Sequence, residues 1–316
     1  MQNNTYAFLK EHFNISEEVL TIIEESEREV SSCFERLDDV MALNQYKILE
    51  AFQKNNICDR HFSWNTGYGY DDAGREALER VYSDIFHTEA ALVRPIIVNG
   101  THALTLTLMG ILRPSDELIY CTGAPYDTLE EVIGIRGEGK GSLKEYGVSY
   151  NQVELTADGR IDFDALGKAI SSKTRMVTLQ RATGYGWRKA MSIEEIEEWT
   201  AFVKGIDQDI ICMVDNCYGE FLHVKEPTDV GADVIAGSLI KNPGGGLAYT
   251  GDYIAGRQNL IDRISYRMTS PGIGGGCGLM FGQTRTMFQG LFIAPKTVNG
   301  AVKGAVLCAK VFEKLK

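Results

Sequence analysis

The sequence predicts an α/β protein with a mostly parallel sheet, and three observations indicate this fold. From about residue 60, short apolar runs rich in β-branched residues alternate with helical stretches. The 316 residues are enough for one large domain or two modest ones with a deep core. The 33 glycines against 7 prolines favour tight turns and close backbone approaches around a bound molecule. Helices then cover both faces of the sheet, and ligands bind at the carboxyl ends of its strands.

The first element in the chain is a predicted long helix over residues 16–54, with room for one break. Ser16 is a typical N-cap, and Glu17 and Glu18 follow it in the first turn, where carboxylates are favourable. Apolar residues recur close to the 3.6-residue helical period at Val19, Ile22, Ile23, Val30, Phe34, Leu37, Met41 and Leu49. We expect residues 1–60 to form a helical arm that packs on the body of the protein or on a second subunit.

The strands and helices of the body follow in order over residues 61–297. The predicted strands are IIV (96–98), ELIYC (117–121), RMVTLQ (175–180), IICMVD (210–215), DVIAGSL (233–239) and LAYTGDYIAG (247–256). The predicted helices are THALTLTLMGIL (101–112), DTLEEVIG (127–134) and SIEEIEEWTAFV (192–203). Glycine-rich loops lie at 243–246 and 271–278. The last segment, 298–316, has helical spacing and is expected to begin a connecting helix to a further domain that this sequence does not contain.

Composition and charge narrow the class of partner. Lys and Arg total 32 against 43 Asp and Glu, a formal net charge of −11, and no basic run breaks this pattern. The balance argues against nucleic acid or an anionic membrane as the main partner and favours a small molecule held by a local site. The chain lacks a signal-peptide pattern and an apolar run of membrane-spanning length. Seven cysteines without a C-x-x-C pair predict reduced thiols in the cytoplasm and no metal centre.

Chemistry-bearing residues follow several of the predicted strands. Gly100 and Thr101 begin a helix directly after a strand, an arrangement that suits a phosphate. Asp215 ends a strand and either faces the ligand or caps a helix. Lys241 closes a buried run beside a glycine-rich loop, and it either has a depressed pKa or extends its amine to solvent. Ser238 lies three residues before this lysine, near enough to share its turn.

These residues resemble the pattern of fold-type-I pyridoxal-phosphate (PLP) enzymes: a strand ending in Asp, a later Ser-x-x-Lys and an upstream Gly-Thr helix start. The chain is similar in particular to the aluminium-resistance family, whose members are described as methionine γ-lyase-like or cystathionine β-lyase-like. Stretches that carry the resemblance from residue 5 onward are GYGYDDAGREALERVY, NGTHALTLTLMGIL, GAPYDTLEEVIG, MVDNCYGEF and DVIAGSLIKNPGGGLAYTGDYIAG. The resemblance implies a seven-stranded type of sheet, PLP as the cofactor and a smaller C-terminal domain, which we expect to lie beyond this sequence.

The resemblance also implies a role for each matching residue. Lys241 would form the Schiff base with PLP and later move the α-proton of the substrate. Asp215 would keep the pyridinium nitrogen protonated. Gly100 and Thr101 would hold the phosphate, with the Ser238 hydroxyl as a further donor.

Aromatic residues and one arginine complete the implied site. Tyr126 would stack on the cofactor ring, and it would act as acid or base if nearby cations lower its pKa. Tyr68 and Tyr70 lie where related lyases carry a Tyr-x-Arg that reaches the phosphate of the neighbouring subunit. The alternative for these two is a pair of core tyrosines. Arg181 either contacts O3′ of the cofactor or is an ordinary surface arginine.

The sequence departs from the motifs of the lyases at two residues that would contact the phosphate. Ile240 replaces the Thr of their Ser-x-Thr-Lys, and Tyr70 stands where the Tyr-x-Arg motif has its Arg. We therefore expect a different phosphate grip with the same ring chemistry.

The expected activity is β- or γ-elimination at the carbon–sulfur bond of an amino acid, in a homo-oligomer whose sites are shared between two subunits. The alternatives are transamination, another fold-type-I reaction, or PLP binding without turnover in a protein linked to aluminium resistance.

Overall fold

A computed structural model describes residues 2–315, with side chains from residue 4. The α-helices are α1 Gln2–Phe13, α2 Glu17–Lys54, α3 Ala73–Ile85, α4 Gly100–Ile111, α5 Asp127–Ile133, α6 Phe163–Ala169, α7 Ile193–Ile206, α8 Gln258–Met268 and α9 Thr284–Lys314. The strands are β1 Ala90–Arg94, β2 Glu117–Tyr120, β3 Ser149–Gln152, β4 Thr174–Gln180, β5 Ile211–Asp215, β6 Val234–Ser238 and β7 Asp252–Gly256.

The strands form one seven-stranded sheet in the order β1-β7-β6-β5-β4-β2-β3. Strands β3, β2, β4, β5 and β6 pair in parallel, whereas β7 runs antiparallel to both β6 and β1. The predicted mostly parallel sheet is therefore confirmed. Because parallel strands end at the same edge, the residues that follow β1, β4, β5 and β6 meet at one side of the molecule.

Apolar side chains fill both faces of the sheet, as expected for strands covered by helices. One cluster joins the sheet to α2, α3, α6, α7 and α9, with the buried Trp199 among its largest members. The other joins the opposite face to α4, α5 and α8. The strands β5 and β6 are buried along their whole length, which explains why their sequences are almost continuously apolar.

The N-terminal helices agree with the sequence prediction. The Ser16 hydroxyl accepts the Val19 N–H at 3.3 Å and caps α2, which runs 38 residues without a break. Helix α2 packs along α9, and Lys314 and Lys303 of α9 pair with Glu29 and Asp38 of α2. None of the helices in the described chain is long and apolar enough to cross a membrane.

Three predicted boundaries are wrong. The strand expected at 247–256 begins only at Asp252, because residues 247–251 form the irregular loop that leads into it. The strand expected at 96–98 lies earlier, over Ala90–Arg94, because Pro95 has no N–H for the ladder and the Ile97 N–H closes a turn on the Arg94 carbonyl. The last helix, predicted over 298–316, begins at Thr284. The prediction misses its first part because Gly290 and Pro295 interrupt the apolar pattern, although neither ends the helix. Ile97 remains fully buried in the turn, so its apolar character reports packing and not strand geometry.

Candidate active site

A cavity of about 640 Å³ opens at the carboxyl edge of the sheet. Its wall is formed by the start of α4, the loops after β4 and β5, the turn after β6 and the start of α5. The sequence-predicted residues on this wall are Gly100, Thr101, Tyr126, Arg181, Asp215 and Lys241. The structure thus brings six of the nine predicted site residues to one cavity.

The first turn of α4 supplies backbone N–H groups to the cavity. Asn99 caps the helix by accepting the His102 N–H through Oδ1 at 2.8 Å. The backbone N–H groups of Gly100 and Thr101, which come before His102, are therefore not taken up by this capping side chain. Gly100 lies close to the opposite wall, because a Cβ atom at this position would be 3.6 Å from Cys217 Sγ and 3.9 Å from Lys241 Nζ. This helix start therefore presents a positive end to the cavity, as an anion requires.

Lys241 and Asp215 supply the charges of the cavity. Burial alone would lower the pKa of Lys241, but the neighbouring Cys217 and Asp215 outweigh it, so the pKa is raised. The depressed pKa predicted from the sequence is therefore wrong. Burial also raises the pKa of the Cys217 thiol, and the ionised form of Asp215 favours the charged form of the lysine. The ammonium also lies 4.5 Å from the centre of the Tyr218 ring, a cation–π contact.

The Asp215 carboxylate is buried at the end of β5. Its Oδ1 accepts the Cys217 N–H at 3.1 Å. Burial raises its pKa, while this hydrogen bond and Lys241 oppose the rise. A further cationic group next to Asp215 would therefore stabilise its ionised form.

Tyr126 stands at the N-cap position of α5 and its hydroxyl lies 3.0 Å from that of Tyr185. The two rings stack with centroids 5.5 Å apart. The hydrogen bond with Tyr185 is the main reason that the pKa of Tyr126 rises to about 12, although Lys241 acts in the opposite direction. The sequence analysis made an acid or base role depend on a pKa of Tyr126 lowered by nearby cations, and the pKa is raised instead. Tyr126 is therefore a proton donor and not a base at neutral pH.

Arg181 is 2% exposed, which rules out the surface alternative. Its Nη1 donates to Asn216 Oδ1 at 2.7 Å and to Glu226 Oε2 at 3.3 Å. Behind them, the Tyr253 hydroxyl donates to Glu220 Oε1 at 2.9 Å, and burial raises the pKa of Glu220 to about 8. The contact of Arg181 with O3′ stays a prediction.

Three predicted residues do not line the cavity. Ser238 is buried beneath the first turn of α4, where its Cβ would be 3.9 Å from a Cβ at Gly100. Tyr68 and Tyr70 are 81% and 59% exposed, so the core-tyrosine alternative is wrong. The Tyr68 carbonyl accepts the N–H of Gly278 at 2.8 Å, which fixes this segment to the glycine-rich loop.

Cavity residues that the sequence analysis did not assign include Cys217, Tyr218 and Tyr185. The first two lie two and three residues after Asp215, so their place after a strand end was an available signal. No sequence signal indicates Tyr185, because the loop after β4 is irregular. The path of this loop depends on Arg188, which donates to the Gln180 carbonyl at 2.7 Å. Within residues 2–315, no group of three or more His, Cys, Asp and Glu side chains is placed to hold a metal ion.

Comparison with known proteins identifies the family. The family model for methionine gamma-lyase matches residues 19–316. The chain belongs to the methionine gamma-lyase family. An uncharacterized Bacillus subtilis protein, YnbB, is 50% identical over 292 residues, which are 92% of this chain and 69% of the relative. A crystal structure from Clostridium novyi NT, described as a carbon-sulfur lyase involved in aluminum resistance, has a TM-score of 0.95 at 50% identity and covers 99% of this chain and 75% of that one.

More distant relatives connect this group to known enzymes. L-methionine gamma-lyase of Pseudomonas deceptionensis is 27% identical over 169 residues, which are 52% of this chain and 37% of the enzyme. The PLP-dependent protein YhfS of Escherichia coli shares the fold with a TM-score of 0.62 at 16% identity, and covers 84% of this chain and 67% of that one. The predicted family resemblance and the fold-type-I fold are confirmed.

Proposed function

We propose that this protein is a PLP-dependent carbon–sulfur lyase acting on a sulfur-containing amino acid. The observation that carries the proposal is the single cavity wall that joins Lys241, Asp215 and the first turn of α4. A cavity of about 640 Å³ has room for a cofactor and a small amino acid. Membership in the methionine gamma-lyase family supports the choice of a carbon–sulfur bond.

The residues present fit PLP. Ser238 Oγ is buried without a hydrogen-bond partner among the residues that the structure describes, at the helix start where a phosphate would bind. Gly100 and Thr101 would hold that phosphate, Asp215 would face the pyridine nitrogen, and Tyr126 would cover the ring. Lys241 would hold the cofactor covalently.

The chain's own residues then account for the proton movements. When bound, PLP supplies an electron-accepting ring that stabilises negative charge at the substrate Cα. Lys241 Nζ takes the proton from Cα once it has lost its own, because a protonated amine cannot act as a base. Tyr126 keeps its phenolic proton at neutral pH and would give it to the departing sulfur, so that the carbon–sulfur bond breaks and a thiol leaves.

Incubation with a panel of sulfur amino acids tests the reaction. We expect release of a thiol together with a keto acid from at least one of them. Keto acid without thiol would instead identify a transaminase, and neither product would identify a cofactor-binding protein without turnover. The predictions of a cytoplasmic location and of a homo-oligomer with shared sites are part of this proposal.

Replacement of Lys241 tests the site itself. In Lys241→Ala we expect loss of the yellow colour and of cofactor fixation by borohydride, because no other amine faces Asp215 across the cavity in the described structure. Lys189→Ala is the matched control, since Lys189 is exposed just outside the cavity and should keep both signals. Borohydride fixation of PLP to another lysine in Lys241→Ala would disprove the assignment.

A further inference from the structure

Two buried polar side chains face each other beside the first turn of α4 without a well-aligned hydrogen bond. Ser238 ends β6 and Asp252 begins β7, and the antiparallel register places them directly opposite each other on one face of the sheet. Ser238 is 1% exposed and Asp252 is 0% exposed. Among the residues that the structure describes, Ser238 Oγ and both carboxylate oxygens of Asp252 lack a well-aligned hydrogen bond, although the Ser238 hydroxyl lies near enough to Asp252 to favour its ionised form. Buried polar atoms are rarely left in this state unless a ligand or a proton satisfies them.

The surroundings of Asp252 favour its neutral form. Burial raises the pKa of Asp252 to about 7, while the Ser238 hydroxyl and the Lys241 ammonium oppose the rise. On the other side, β1 places Arg94 opposite Asp252 in the register. The guanidinium of Arg94 is engaged by Glu79 at 2.5 Å and by the Cys277 carbonyl at 2.8 Å, so its charge is already balanced. Asp252 therefore holds its proton more readily than an ordinary carboxyl group.

We propose that protonated Asp252 completes the phosphate-binding group by donating a hydrogen bond to Ser238 Oγ. The serine hydroxyl proton is then free to point to an oxygen of a phosphate ester held at the start of α4. This inference rests on the proposed function, because the phosphate is that of the proposed cofactor. Asp252 is a positioning residue in this arrangement, since it acts on the phosphate through Ser238.

Proton linkage follows from this geometry. An ionised Asp252 would accept the Ser238 proton, withdraw it from the phosphate and add a negative charge beside an anion. Binding of a phosphate ester above the pKa of Asp252 therefore requires uptake of one proton at this residue. One linked proton makes the affinity fall about tenfold for each pH unit above that pKa.

Two matched probes isolate the effect on the phosphate. 4′-Deoxypyridoxine 5′-phosphate carries the phosphate but no aldehyde, so it cannot bond to Lys241, and 4′-deoxypyridoxine lacks the phosphate as well. The Kd of each is measured from about pH 6 to 9, the range in which this carboxyl titrates, in the unmodified protein and in Asp252→Asn. The asparagine has the same shape, stays neutral and can still donate to Ser238 Oγ.

At pH values above the pKa of Asp252, we expect the ratio of Kd values, unmodified protein over Asp252→Asn, to rise about tenfold per pH unit for the phosphate probe. The ratio should stay constant for the probe without phosphate. Equal pH profiles of the two proteins for the phosphate probe would overturn the inference, as would the same pH-dependent ratio for both probes. Failure of both probes to bind either protein would instead reject the proposed function.

A measurement on the unmodified protein keeps the test decisive if Asp252→Asn does not fold. Calorimetry at pH 8 in two buffers of different ionisation enthalpy gives the number of protons taken up on binding. We expect uptake approaching one proton more for the phosphate probe than for the probe without phosphate, and loss of most of this difference in Ser238→Ala. No difference between the probes, or an unchanged difference in Ser238→Ala, would overturn the inference.

Discussion

At the scale of single residues, neighbours on other strands decide which cavity groups are charged. The sequence predicts that Lys241 and Asp215 lie at one edge of the sheet, because residues after buried parallel strands meet there, and both line the same cavity. It does not predict the raised pKa of Lys241, which depends on Asp215 and Cys217 at the end of β5. Asp252 escapes sequence analysis for the same reason, since only the antiparallel register of β6 and β7 reveals its place opposite Ser238.

The hydrogen bond between Tyr126 and Tyr185 gives a prediction at this scale. In Tyr185→Phe we expect the pKa of Tyr126 to fall from about 12 toward the ordinary tyrosine value near 10, because the partner that stabilises the neutral phenol is removed. The phenolate of Tyr126 is followed by ultraviolet titration. The titration curve of the Tyr126→Phe, Tyr185→Phe double variant is subtracted from that of Tyr185→Phe, which leaves the signal of Tyr126. The corresponding pair with Tyr185 intact is the control, and equal values in both pairs would contradict the prediction.

At the scale of elements, α9 supports the loop that follows Lys241. A Cβ atom at Gly290 in α9 would lie 2.1 Å from the Gly244 carbonyl oxygen, and one at Gly245 would lie 2.2 Å from the Gly290 carbonyl oxygen. Backbone therefore packs on backbone here, and only glycine allows the approach. Sequence analysis could not find this contact, since the glycines at 290 and 244 are far apart in the chain and Gly290 weakens the helical pattern.

We predict that Gly290→Ala destabilises the protein by about 1–3 kcal/mol, since the new methyl group overpacks against backbone that cannot move aside. The loop after Lys241 must shift as well, so affinity for the cofactor should fall. Urea unfolding measures the first effect and cofactor titration the second. Gly304→Ala in the same helix is the matched control: apart from its own stretch of helix, no atom of the described residues lies within 4 Å of the new methyl group. That variant should gain up to about 1 kcal/mol from helix propensity, and equal effects of both substitutions would refute the packing argument.

At the scale of the whole molecule, the cavity and the two exposed tyrosines lie in different places on the chain's surface. Tyr68 and Tyr70 belong to a segment held by buried Arg75, which donates to the carbonyls of Gly69 and Gly278. A rigid support beneath two exposed aromatic rings is the arrangement expected of a surface that another molecule contacts. The sequence motif predicts that this molecule is a second copy of the chain, and folding of one copy alone brings neither tyrosine to its own cavity.

Mixing two inactive variants tests this arrangement. If each site takes Lys241 from one subunit and Tyr70 from the other, a hybrid of Lys241→Ala and Tyr70→Ala subunits contains one doubly altered site and one intact site. Random reassociation of equal amounts into dimers makes half of them hybrids, so we expect recovery of about a quarter of the unmodified activity. Lys241→Ala mixed with a Lys241→Ala, Tyr70→Ala double variant is the control and should recover nothing. Mass spectrometry of the mixture verifies that hybrids have formed. If the mixture of the two single variants contains hybrids but gains no activity above its separate components, no site is shared between Lys241 of one subunit and Tyr70 of another.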